Sequence, residues 1–97
     1  MLILHITYKI KVGQRDRFMS EIKLLGIPKA SKGEKGCLAY DYYHPESGED
    51  EIFLKDIWED EDCLTAHTQT AHFARLKDLK DQYVSTVRID KYYVSKV

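Results

Sequence analysis

From Leu2 to Lys11 the chain alternates so regularly that two faces can be written down at once. Leu2, Leu4, Ile6, Tyr8 and Ile10 form one, and Ile3, His5, Thr7 and Lys9 form the other. A period of two carried by aliphatic and β-branched side chains predicts a strand. The second face is itself partly apolar through Ile3 and Thr7, so both faces need cover, from helices or from a partner subunit.

The period changes after the turn at Val12 and Gly13. Phe18, Met19, Ile22 and Leu25 recur at helical spacing among Arg15, Asp16, Arg17, Glu21 and Lys23, which predicts an amphipathic helix. It is expected to end near Gly26, because Pro28 disfavours the α conformation at Ile27 and has no amide hydrogen to donate. The polar run from Lys29 to Gly36 reads as a connection. Cys37 to His44, with Leu38, Tyr40 and Tyr42 on one face, and Glu51 to Trp58, with Ile52, Leu54 and Trp58 on one face, read as two strands. Pro45 to Asp50 supplies the turn between them.

Asp60 can cap a short helix carrying Cys63, Leu64 and His67, and Thr70 can cap a second whose apolar stripe is Phe73, Leu76, Leu79 and Tyr83. Ser85 to Val97 then sets Val87, Ile89, Lys91 and Tyr93 against Thr86, Arg88, Asp90, Tyr92 and Val94, a closing strand. Strand, helix, hairpin, paired helices and strand, joined by right-handed crossovers, give an α+β ferredoxin-like βαββααβ sandwich with its helices on one face. The other face exposes apolar and aromatic side chains, and a patch of that size predicts a homodimer formed through the sheet.

At 97 residues, with 43% hydrophobic and 32% charged side chains, the chain reads as a single folded domain spanning 1–97. Fifteen basic against sixteen acidic residues leave a formal charge of -1, so neither nucleic acid nor an anionic membrane is an expected partner. The longest uncharged apolar stretch, Met1 to Leu4, is too short to span a bilayer and lacks the features of a signal peptide, so a cytoplasmic location is expected. Cys37 and Cys63 form no CxxC pair, and reduced, packed thiols are expected.

Three segments carry a resemblance: Gly36-Cys37-Leu38-Ala39-Tyr40, Ile57-Trp58-Glu59-Asp60, and Ala66-His67-Thr68-Gln69-Thr70-Ala71-His72-Phe73. In this order and spacing they resemble the antibiotic biosynthesis monooxygenase domain, with Ala71 where the family usually has Pro. The resemblance covers nearly the whole chain. It implies a dimeric α/β barrel in which two sheets face each other and each C-terminal strand reaches the partner. It also implies a small oxygenase that uses no cofactor and acts on a hydroquinone or polyphenolic aromatic substrate able to react with molecular oxygen itself. Neither a Rossmann glycine fingerprint nor a P-loop is present, which agrees with that implication.

The resemblance turns the face shared by Asp56 and Trp58 toward a pocket between sheet and helices. Trp58 is then a pocket wall or a core aromatic. Asp56 is either satisfied by a helix N-terminus or basic group, or poised for proton transfer. His67 and His72 lie five apart, about 140° around a continuous helix, which argues against a shared metal ion and leaves the expectation of no metal site. A break at Thr70 can still bring both imidazoles to one cavity mouth, where either is a candidate base, or both simply pack the junction. The expected catalytic set is therefore His67, His72 and Asp56, with Trp58, Leu54 and Phe73 binding substrate and His5 a weaker binding candidate.

Two departures narrow the chemistry. Haem-degrading relatives use an Asn, a Trp and a His where this chain offers Ile6, His67 and Lys77, which disfavours haem degradation. Polyketide-oxidising relatives carry an Asn where Leu54 stands. The rival readings are an isomerase or processing enzyme for a phosphorylated signalling sugar, which needs a basic cluster in its pocket, and a non-catalytic ligand-binding dimer.

Overall fold

A computed structural model describes residues 1–95, so the last two residues of the expected closing strand lie outside the described part. The element order is β1 (Leu2–Ile10), α1 (Arg15–Leu24), α2 (Ile27–Lys32), β2 (Cys37–Tyr43), β3 (Glu51–Trp58), α3 (Glu61–His67), α4 (Ala71–Tyr83) and β4 (Val84–Tyr93). The four strands pair in the order β2-β3-β1-β4, and every pair is antiparallel. This is the expected α+β ferredoxin-like sheet. The alternating opening strand lies inside it, with Ile6 opposite Leu54 on one side and Ile89 on the other.

Direct cross-strand partners project to the same side, so the register carries the alternation of β1 across the sheet. Leu2, Leu4, Ile6, Tyr8 and Ile10 are buried under the helices together with Ile52, Leu54, Asp56 and Trp58 of β3. From above, α1 contributes Phe18 and Ile22, α2 Ile27, and α4 Leu76, Leu79 and Tyr83. Each such burial stabilises the fold by about 1.5–3 kcal/mol relative to exposure.

Two expectations are corrected. The helix α2 begins at Ile27, with Pro28 in its first turn, and takes up the first four residues of the run from Lys29 to Gly36 that was read as a connection. Proline fits there because the first amides of a helix have no intrahelical acceptor to reach. Gly26, at φ +68°, makes the bend from α1. On β2, a register shift between Cys37 and Ala39 takes Leu38 out of line with Tyr40 and Tyr42 and leaves it exposed.

The helix junction forms as its caps predict. Asp60 accepts a hydrogen bond from the Cys63 amide (2.9 Å), and Thr70 Oγ1 accepts one from the Phe73 amide (3.2 Å). Gly36, at φ +78°, lies so close to Cys63 that a Cβ there would collide with the Cys63 thiol. That approach sets α3 directly against the start of β2, three residues beyond Glu34.

Among the described residues the opposite face of the sheet carries no helix. Ile3, His5, Phe53, Ile57, Tyr43 and Tyr92 lie there, with the His5 ring 5.3 Å from Phe53 and 5.4 Å from Tyr92 between centroids. β4 is the least covered strand, and on its helix side Ile89 remains 56% exposed. Among the described residues no helix is long and apolar enough to cross a membrane.

Candidate active site

Between the helix side of the sheet and α3 and α4 lies a cavity of about 220 Å³. Its walls are mostly aliphatic, from Leu4, Ile6, Leu54, Leu64, Leu76, Val87 and Ile89, with Phe73 as the aromatic side. Only a few polar groups reach it, namely Asp56, His67, Thr68, Lys80 and the phenols of Tyr8 and Tyr40. A mostly apolar concavity with a few convergent polar groups is the usual form of a small-molecule site. A larger hollow of about 430 Å³ lies between α1, α2 and β2. It is a more open trough lined by charges of both signs, including Arg15, Lys23, Asp16 and Asp41, and neither Asp56 nor His67 borders it.

Asp56 is 3% exposed, and its partner is neither a helix N-terminus nor a basic group. The Trp58 indole donates to Asp56 Oδ1 at 2.6 Å. Burial pushes the carboxyl up to about 7, the indole hydrogen bond opposes that rise, and the charge of Glu34 adds to it. Trp58 is fully buried and does not border the cavity, so it acts as a core aromatic that holds Asp56. The His67 ring packs over it, 4.7 Å between centroids.

His67 is 2% exposed, and its Nδ1 lies 2.5 Å from Glu34 Oε2. The same carboxylate oxygen lies 2.7 Å from His72 Nε2. The Thr70 break therefore brings both imidazoles onto one acceptor, although only His67 borders the cavity. If each ring donates its hydrogen to Glu34, His67 keeps an unprotonated Nε2 that no side chain pairs with among the described residues. Burial lowers the pKa of His67 and the Glu34 carboxylate opposes this, so the neutral ring is favoured.

The spacing argument against a shared ion took His67 and His72 on one unbroken helix, and the break at Thr70 sets both beside Glu34. Glu34, His67 and His72 each offer a ligand atom, all within 4.8 Å of one another. Two imidazoles and a carboxylate are a donor set that suits zinc. Ligand atoms around tetrahedral zinc stand about 3.3 Å apart. The cluster as built is thus a hydrogen-bonded triad that would have to spread to take an ion.

Of the remaining expected residues, Leu54 and Phe73 border the cavity, whereas His5 lies on the other face of the sheet. Sequence reasoning passed over Glu34 and Lys80, and read Tyr40 as a residue of its strand's face without placing it in the expected site. Tyr40 is buried, its hydroxyl is 2.9 Å from that of Tyr42, and burial raises the pKa of both phenols. Lys80 is half-buried, and loss of solvent lowers its pKa. Only the spacing of Lys80 from Phe73 and Leu76 along α4 hinted that it shares their side.

A ferredoxin-like sheet and its paired helices thus enclose an apolar cavity bordered by a buried acid and a buried imidazole. The chain belongs to the antibiotic biosynthesis monooxygenase family, whose pattern matches residues 1–79. It is similar to the Bacillus subtilis (strain 168) protein named "Putative monooxygenase YcnE", with 30% identity over 94 residues covering 93% of this chain and 97% of that one. Among solved structures, PA3566 from Pseudomonas aeruginosa superposes with a TM-score of 0.86 at 25% identity, covering 98% of this chain and 94% of its own. A crystal structure described as an antibiotic biosynthesis monooxygenase gives 0.85 at 22% identity, covering 99% and 100%.

Proposed function

We propose that this protein is a monooxygenase for a small hydroquinone or related phenol, working without a cofactor and as a homodimer. The observation that carries the reading is the aliphatic cavity into which Asp56 and His67 both face. His67 Nε2, with Glu34 holding the tautomer, accepts the phenolic proton, and Asp56 supports the same step once it is ionised. The phenolate passes one electron to molecular oxygen, giving an aryloxyl radical and superoxide. These combine at a ring carbon bearing hydrogen to form a hydroperoxide. Loss of water then leaves a quinone carrying one oxygen atom from the gas, while the other leaves in the water. All the electrons come from the substrate. The protein binds, deprotonates and excludes solvent.

The lining favours this over a phosphorylated-sugar enzyme, because among the described residues Lys80 is the only Lys or Arg that borders the cavity. Dimerisation is supported by the helix-free face, where Tyr43 and Tyr92 are nearly half exposed beside Phe53 and Ile57. Pairing two such faces would bury the aromatic cluster around His5. The cytoplasm is the proposed compartment.

The test is turnover of a benzo- and naphthohydroquinone panel under ¹⁸O₂. The expected result is one labelled atom in the quinone, with oxygen uptake above autoxidation that His67→Ala removes. Uptake no faster than autoxidation across the panel would overturn the oxygenase reading.

A further inference from the structure

Resting on the reading of this cavity as an aromatic site, the geometry points to a narrower substrate class. We propose that it takes a one- or two-ring hydroxyarene bearing a carboxylate, with the hydroxyl at the Asp56 and His67 end and the carboxylate on Lys80.

The cavity has two chemically different ends. Phe73 joins them, its ring centroid 5.2 Å from that of His67 and 5.7 Å from Lys80 Nζ. The same ammonium lies 5.9 Å from the centroid of Tyr8, so it is held by aromatic faces. No carboxylate lies within ion-pair distance of it among the described residues. Its charged neighbours, Asp81 and Lys77, stand on its own helix, are exposed and have opposite signs. A partly desolvated cation without a counterion at the wall of an apolar cavity is a site for an anionic oxygen.

Size and charge then limit the ligand. At about 220 Å³ the cavity falls below the range of about 300–1,000 Å³ typical of pockets for drug-sized ligands, which limits it to one or two fused rings. A single ammonium matches one carboxylate better than a doubly charged phosphate. The acceptors at the other end, Asp56 and the free His67 nitrogen, match a hydroxyl that gives up its hydrogen.

The experiment is equilibrium binding, followed by ligand fluorescence, of 6-hydroxy-2-naphthoate and of 2-naphthol to the full chain under anaerobic conditions. The hydroxynaphthoate is expected to bind about 10-fold tighter. Lys80→Met should remove that preference while leaving 2-naphthol affinity in place, and Lys80→Arg should keep it. Equal affinity for the two ligands, binding of neither, or a preference that survives Lys80→Met would overturn the inference. Because no oxygen is present, failure of turnover leaves this result untouched. Conversely, turnover of neutral hydroquinones without a carboxylate preference would sink the inference and spare the oxygenase reading.

Discussion

The two faces of the sheet are built from the same strands and do opposite things. On β3, Leu54 is sealed beneath the helices at the cavity wall, while its neighbour Phe53 lies on the helix-free face against His5. On β1, Ile6 and His5 divide in the same way. The covered face gathers the acid, the imidazole and the cavity. The open face gathers aromatic rings and holds none of the cavity's polar groups. A period of two thus lets one short strand serve chemistry on one side and assembly on the other.

The sharpest way to break this contrast is to truncate neighbours on β3. Leu54→Ala should cost about 2–5 kcal/mol in urea unfolding, because the removed atoms leave a void in packed core. Phe53→Ala should cost less within the protomer and instead lower the melting temperature at protein concentrations where the unsubstituted protein is dimeric. Equal costs at both positions would remove the distinction between the faces.

A second effect is electrostatic and confined to the covered face. With its carboxyl raised to about 7, Asp56 favours the folded state when protonated, so its contribution is complete below about 4 and is lost as pH rises through about 7. Asp56→Asn keeps an acceptor for the Trp58 indole and cannot ionise. It should raise stability at pH 8 by on the order of 2–3 kcal/mol and have little effect at pH 4, as read by thermal melts across pH. A variant destabilised at pH 8 would show that the ionised carboxylate is well satisfied where it stands.

Glu34→Gln should lower kcat by about 10- to 100-fold with little change in KM, since it releases the His67 tautomer. The Glu34 charge raises both the His67 and the Asp56 pKa, so the acid limb of the pH profile should move to lower pH. A loss of rate with an unmoved profile would make Glu34 a packing residue only. The smallest expected effect belongs to the open face, where Tyr92→Ala should change protomer stability by less than about 1 kcal/mol and weaken self-association in sedimentation.

The fold was legible because its signals are local. The alternation of β1, the stripe on α4 and the caps at Asp60 and Thr70 each lie within a few residues of what they specify. The helix α2 was not, because only Ile27 and Ser31 are buried in it and six residues show no apolar period. The site was half legible. Strand parity puts Asp56 and Leu54 on one face, helix spacing puts Phe73 on the α4 stripe, and the family resemblance turns them toward a pocket, but Glu34 stands 33 positions before His67 in the chain and meets it only in the folded structure, where Gly36 packs closely on Cys63. His5 was misleading for the same geometric reason that Ile6 was not. One residue's shift along a strand changes the face.

The most direct test of the account compares two histidines of equal chemistry on opposite faces, His67→Ala and His5→Ala, by oxygen uptake with a hydroquinone substrate. The account predicts that uptake above autoxidation collapses in His67→Ala and persists in His5→Ala. Loss in His5→Ala with retention in His67→Ala would place the chemistry on the open face and contradict it.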